Sequence, residues 1–171
     1  DWQREIYQLA QSYEGNLSLT GNIKMGDKSN LPYRVSGGYI NQDGTLKTSN
    51  MERGTLSVNL NPQLWNNHLS INLNAKGTIT NNRFANQSAV GEAVRFDPTQ
   101  PVYSENGYNG YFSWGANSNA TSNPVASLND KLDLSNAKRF IGNAQIDYKI
   151  HGFEDLRLNL NVGLDYAKSN G

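Results

Sequence analysis

Apolar and polar residues alternate at period two over segments of roughly 10–13 residues, longer than most strands. In 68–80, Leu69, Ile71, Leu73, Ala75, Gly77 and Ile79 take one parity, and Ser70, Asn72, Asn74, Lys76, Thr78 and Thr80 take the other. In 139–150, Phe140, Gly142, Ala144, Ile146 and Tyr148 oppose Arg139, Asn143, Gln145 and Asp147. In 156–167, Leu156, Leu158, Leu160, Val162, Leu164 and Tyr166 oppose Arg157, Asn159, Asn161 and Asp165. Residues 53–61 carry Leu56, Val58 and Leu60 against Thr55, Ser57, Asn59 and Asn61. Two glycine-richer segments read alike: 15–25 with Leu17, Leu19, Ile23 and Met25, and 32–40 with Tyr33, Val35 and Tyr39. Successive side chains of a strand point to opposite faces, so each segment has one apolar and one wet face.

Six strands are therefore expected, near 15–25, 32–40, 53–61, 68–80, 139–150 and 156–167, in an all-β antiparallel meander. Ordinary strands run about 5–6 residues, whereas a tilted strand crossing a membrane needs about 9–11. Length and alternation favour a piece of a large transmembrane β-barrel. A soluble β-sandwich that binds glycans also alternates and stands as the alternative. The apolar face separates them: a sandwich buries it under a second sheet, and a barrel turns it to lipid.

The wet faces are unusual in being uncharged. Charged residues make up only 18% of the chain, yet 25 of its 171 residues are Asn. Asn is depleted from strands unless its face is solvated. Disordered chains are poor in aromatics, whereas this one has 10%. Fifteen basic and fifteen acidic residues cancel, so no net field draws in a nucleic-acid backbone, and no nucleic-acid partner is expected. The absence of Cys removes disulfides, thiolate metal sites and thiol nucleophiles. No apolar run is long enough for a transmembrane helix. The abrupt opening at Asp1-Trp2-Gln3, with neither initiator Met nor signal peptide, points to an excised fragment.

The connections run short (26–30, 62–67, 151–155) and long (41–52, 81–138) in alternation. In a meander, alternate connections share a rim, so short turns are expected at one rim and long loops at the other. Segment 81–138 is longer than connections normally are, which suggests structure of its own or a function. Ser88–Phe96 suits a short helix, broken by Asp97-Pro98-Thr99-Gln100-Pro101. An Asn- and Ser-rich run follows Trp114, up to Asn123-Pro124. Trp2, Ile6, Leu9 and Tyr13 have helical spacing and suggest an amphipathic helix leading into the sheet.

Catalytic chemistry has little to stand on. His68 and His151 sit where short turns meet strands, with no motif between them. Glu154-Asp155 reads as a polar turn pair, and Asp130 with Asp133 lacks calcium-loop spacing. Nucleophile-elbow, zinc-protease and phosphate-loop motifs are missing, and no cofactor or metal is expected. Asn16, Asn86 and Asn119 head sequons at a frequency that chance supplies in so Asn-rich a chain. The strongest candidate for binding is the aromatic cluster Tyr103, Tyr108, Tyr111, Phe112 and Trp114 in the long loop. Such rings stack on sugars or pack on peptide side chains; they serve equally as a loop's own small core or as membrane-interface residues.

Several stretches resemble the barrel domain of SusC/RagA-type TonB-dependent transporters of Bacteroidetes. These are Asp1–Tyr7, Asn16–Gly21, Tyr33–Gly44, Leu46–Asn50, Ser57–Pro62, Asn72–Gly77, Asp97–Tyr103 and Arg139–Tyr148. The resemblance covers nearly the whole chain. It implies an early stretch of the wall of a 22-stranded bacterial outer-membrane barrel that imports oligosaccharide or peptide. It also implies a SusD-like surface lipoprotein as partner, and contact with TonB through a segment outside this chain. The loop 81–138 would then be extracellular, facing substrate or the lipoprotein lid. No family-wide ligand residue maps onto these positions.

Overall fold

The computed structural model describes residues 1–115 and 119–171, and at Glu154 the backbone only. In chain order the elements are α1 (Trp2–Ile6), β1 (Ser12–Lys24), β2 (Asn30–Asp43), β3 (Asn50–Leu60), β4 (Gln63–Leu64) and β5 (Leu69–Arg83). There follow α2 (Ser88–Arg95), β6 (Tyr103–Tyr108), α3 (Pro124–Asp130), β7 (Leu134–Ile150) and β8 (Phe153–Asn170). The long strands form one antiparallel sheet in the order β1-β2-β3-β5-β7-β8, each paired with its neighbour in sequence.

The register aligns the alternation across strands. Leu17, Gly37, Leu56, Gly77, Phe140 and Tyr166 make one cross-sheet row, and Leu19, Val35, Val58, Ala75, Gly142 and Leu164 make the next. All of these fall on one face. The opposite face carries rows such as Thr20, Arg34, Asn59, Asn74, Asn143 and Gly163. A slip of one residue in any strand would move its apolar set to the wet face, so the pattern itself pins the register. On the wet face neighbouring groups satisfy one another: Ser36 with Ser57 at 2.7 Å, Asn143 Nδ2 donating to Asn161 Oδ1 at 2.8 Å, and Arg139 Nε to Asp165 Oδ1 at 3.0 Å.

Among the described residues nothing covers the apolar face. Leu17 is 80% exposed, Leu158 66%, Leu164 62% and Leu56 58%. Among the described residues there is a single sheet, so the second layer that a sandwich requires is missing. The apolar stretch of β5 from Leu69 to Ile79 measures about 33 Å at ~3.3 Å per residue. Tilted by ~45°, it reaches about 23 Å in height, which matches the apolar band of a membrane barrel. Beyond it, Tyr13, Asn41, Glu52, Asn81, Asn136 and Asn170 form a polar row.

The buried core lies away from the sheet. Trp2, Ile6, Ala89, Ala93, Phe96, Val125 and Leu128 form it, all from α1, α2, α3 and their ends. These helices sit at the rim where β1 begins and the 84–133 connection leaves the sheet. Lys47 N donates to Ile6 O at 2.9 Å, and Gln8 N to Thr45 O at 2.9 Å, tying α1 to the β2–β3 connection.

Four expectations need correction. The N-terminal helix stops at Ile6 rather than running to Tyr13. Tyr7 bridges to Leu46 instead, Leu9 is 86% exposed, and Tyr13 lies in β1. The 41–52 connection shortens to 44–49, because Asn41–Asp43 pair with Asn50–Glu52 as strand. Asn50 Nδ2 reaches Asp43 Oδ1 at 2.8 Å and Asn41 Oδ1 at 3.0 Å, so amides hold the ladder together beyond the apolar band. Rim asymmetry therefore rests on 84–133 alone, since the 61–68 connection is no shorter than 44–49. Glu154 and Asp155 belong to β8, because Gly152, at φ +84°, closes the preceding turn. Part of the Asn- and Ser-rich run, residues 116–118, lies outside the described residues.

Candidate functional site

The 84–133 segment folds into two helices and a hairpin that together frame a cleft. The chain leaves α2 at Phe96, whose ring meets Trp2 edge-on with centroids 4.5 Å apart. Trp2 Nε1 donates to Asp97 O at 3.1 Å, so α1 is fixed to the turn after α2. That turn is closed by Asp97 Oδ1, which accepts from Thr99 N at 2.9 Å and from Thr99 Oγ1 at 2.7 Å. These two bonds stabilise the carboxylate and hold the Asp97 pKa below the ordinary carboxylate value.

β6 then turns back at Asn109-Gly110, both at positive φ, and Ser104 N donates to Gly110 O at 2.9 Å. Gly107 has no alternative here: a Cβ would lie 1.7 Å from Tyr111 O. The returning strand is bound by Phe112 N to Val102 O at 3.0 Å. α3 closes the frame. Asn123, only 4% exposed, caps it by accepting from Val125 N at 3.0 Å and Ala126 N at 3.3 Å. The same side chain donates to Val102 O at 2.9 Å and Phe112 O at 3.1 Å, binding helix to hairpin. Pro124 at the first helical turn loses no hydrogen bond, since that amide has no partner within the helix.

The cleft between hairpin and α3 measures about 630 Å³. Tyr108, Tyr111, Phe112 and Trp114 line it, with Asn86 and Asp130 among the polar groups. Tyr103 does not line it; its ring lies 5.5 Å from that of Tyr111 on the hairpin. The cluster divides by burial. Phe112 and Trp114 are partly buried against the helical core, with Phe112 6.2 Å and Trp114 5.9 Å from the Phe96 ring. Tyr103 and Tyr108 are 65% and 69% exposed. Tyr111 is intermediate, and its hydroxyl accepts from Asn129 Nδ2 at 3.0 Å. Asn109 Nδ2 reaches across to Asp130 Oδ1 at 3.2 Å. Aromatic faces thus stand beside amides, one carboxylate and Lys131, and among the described lining residues no hydrogen bond pairs a nucleophile with a base.

Sequence reasoning missed α3 and Asn123. The signal was present: Asn directly before Pro marks an N-cap and first turn, and Val125 and Leu128 repeat at i, i+3. It also missed that the two histidines meet. His68 and His151 stack with centroids 4.0 Å apart at the opposite, short-turn rim, far from the cleft. Among the described residues no group of three or more His, Asp or Glu is placed to hold a metal ion.

No family model matches the chain. Over 98% of its length, however, the chain is 40% identical to the TonB-dependent receptor SusC of Bacteroides thetaiotaomicron. The chain belongs to the SusC-type TonB-dependent receptors. This SusC-type chain is also 28% identical to TonB-dependent receptor P26 of Formosa agariphila over 99% of its length. It is 29% identical to receptor P3 of the same organism over 90%. It spans less than a fifth of each relative: 18%, 16% and 16%. TonB-dependent receptors are outer-membrane β-barrel transporters, and the single antiparallel sheet of six long strands with one uncovered apolar face agrees with an all-β fragment of such a barrel.

Proposed function

We propose that this chain forms barrel wall in a bacterial outer-membrane importer that is energised by TonB and carries oligosaccharide or peptide. The whole receptor would contact TonB through a segment outside this chain and would pair with a SusD-like surface lipoprotein. The observation that carries this reading is the uncovered apolar face, in register across six strands and backed by an Asn-rich face. Lipid would cover the first face, and a water-filled or plugged lumen would satisfy the amides of the second. The residues present supply positioning and hydrogen bonding rather than bond-making, so the reading is transport and not catalysis.

The 84–133 cap would face substrate or lipoprotein lid on the outside. Its exposed ring Tyr108 would stack on the ligand, Tyr111 and Trp114 would wall the cleft, and Tyr103 and Phe112 would support the hairpin. The test is Tyr108→Ala in the full-length receptor, with oligosaccharide and peptide ligands titrated in the presence of the lipoprotein. One aromatic stack lost should weaken binding about 3–10-fold with insertion unchanged. Unchanged affinity for every ligand and for the lipoprotein would remove the cleft from the function.

A further inference from the structure

The apolar face holds a depression bordered by Lys138, whose cross-strand partner is Lys168. Gly15, Gly37, Gly54 and Gly77 zigzag across β1, β2, β3 and β5, and with Lys138 and Tyr166 they border a groove of about 980 Å³. Nothing in the sheet demands glycine at these positions. None of the four has positive φ. A Cβ would meet open space at Gly15, Gly54 and Gly77, and its nearest neighbour at Gly37 would be Thr55 O at 4.0 Å. Glycine weakens a strand interior and often marks a bulge, a bend or a close approach by a ligand or another backbone; no register shift falls at these four, and they leave open space on the face.

Lys138 and Lys168 stand directly opposite each other on this same face, both exposed. Their row lies between the apolar row of Phe140 and Tyr166 and the polar row of Asn136 and Asn170. That is the depth at which acyl chains give way to headgroups. Like charges facing across a ladder are unfavourable. No ion pair relieves them among the described residues. In the paired rows of this face the carboxylates are Glu52, which accepts from Asn41 at 3.3 Å, and Asp43, which accepts from Asn50 at 2.8 Å.

We propose that this groove and lysine pair bind one phosphate-bearing lipid of the leaflet on the long-loop side. Its acyl chain lies along the glycines and its phosphate bridges Lys138 and Lys168. The inference rests on reading this face as lipid-facing and goes beyond it by naming an occupant. Each ammonium reaches the phosphate from its own strand, so the lipid clamps β7 to β8 where they would otherwise repel. A phosphate is suited to this because it offers several acceptor oxygens to two separate ammonium groups.

The experiment uses the full-length receptor in detergent, with native mass spectrometry reading bound lipid. The probes are bisphosphorylated lipid A, the same glycolipid without phosphates, and inorganic phosphate alone. Wild type should retain one phosphorylated lipid, and the double variant K138Q/K168Q should lose it roughly 30-fold. Gly54→Leu, which fills the groove and leaves both lysines, should weaken it as well. Lys76→Gln, on the wet face, should leave it unchanged. Equal retention by K138Q/K168Q, equal capture of the dephosphorylated glycolipid, or displacement by equimolar inorganic phosphate would each overturn the proposal. Insertion of the wild-type receptor into vesicles, scored separately, reports on the lipid-facing reading, so the two failures are told apart.

Discussion

Single residues decide which solvent each face meets. Leu160 lies on the apolar face opposite Ile146, and its chain neighbour Asn159 lies on the wet face opposite Asp147. Asn159 Nδ2 already donates to Asp147 Oδ2 at 3.4 Å. In the proposed barrel wall an arginine at 159 would gain that carboxylate and a wet lumen. An arginine at 160 would enter hydrocarbon near mid-strand, at a cost of about 2–4 kcal/mol. Folding of full-length Leu160→Arg into lipid vesicles should fall accordingly, while Asn159→Arg should insert like wild type. The reverse outcome would invert the faces. Gly107 is equally decisive at its own site, where a Cβ would overlap Tyr111 O. Gly107→Ala should open the hairpin, expose 103–111 to protease and leave barrel insertion intact; resistance equal to wild type would contradict this.

At the scale of elements, the cap and the sheet are stabilised by different means and should respond differently to acid. The Asp97 carboxylate is held below its ordinary pKa chiefly by Thr99, and its turn joins α1 to α2. A group with a depressed folded pKa adds stability that is complete above the unfolded value and is lost as pH falls through the folded one. Fluorescence from Trp2, which α1 packs on the cap, and from Trp114 within it should therefore change as pH falls below the ordinary carboxylate range, before the strand signal does. In Asp97→Asn that step should vanish, and its persistence would assign the transition elsewhere. The strands were legible because period two survives any wet or dry setting, as 68–80 and 156–167 illustrate. Their ends were not, because Asn41–Asp43 and Asn50–Glu52 continue the ladder by amide pairing that hydropathy does not register. In the cap, Ser88–Arg95 was legible from its pattern and the proline break after it. The cleft was not, since it depends on Asn123 reaching Val102 and Phe112 from far along the chain. The histidine stack was hidden for the same reason: two separate turns bring it together.

At the scale of the whole molecule, the sheet of the described residues ends in two open edges, β1 and β8, and the buried core lies between α1 and the cap and not beneath the strands. In water, the uncovered leucines of 17, 56, 158 and 164 would seek any apolar partner. In lipid, the outer backbone groups of β1 and β8 would be left without hydrogen bonds, which a membrane does not tolerate. Neither solvent suits these 171 residues alone, and both problems disappear when further strands close the wall. The isolated polypeptide should thus aggregate without detergent and should lack a cooperative melt, whereas the full-length receptor in detergent should melt cooperatively. The measurement is size-exclusion chromatography with light scattering, followed by thermal circular dichroism of both forms. A monodisperse, detergent-free monomer with a sharp transition would mean that the apolar face finds cover within the chain itself, and the barrel-wall assignment would have to yield to a soluble fold.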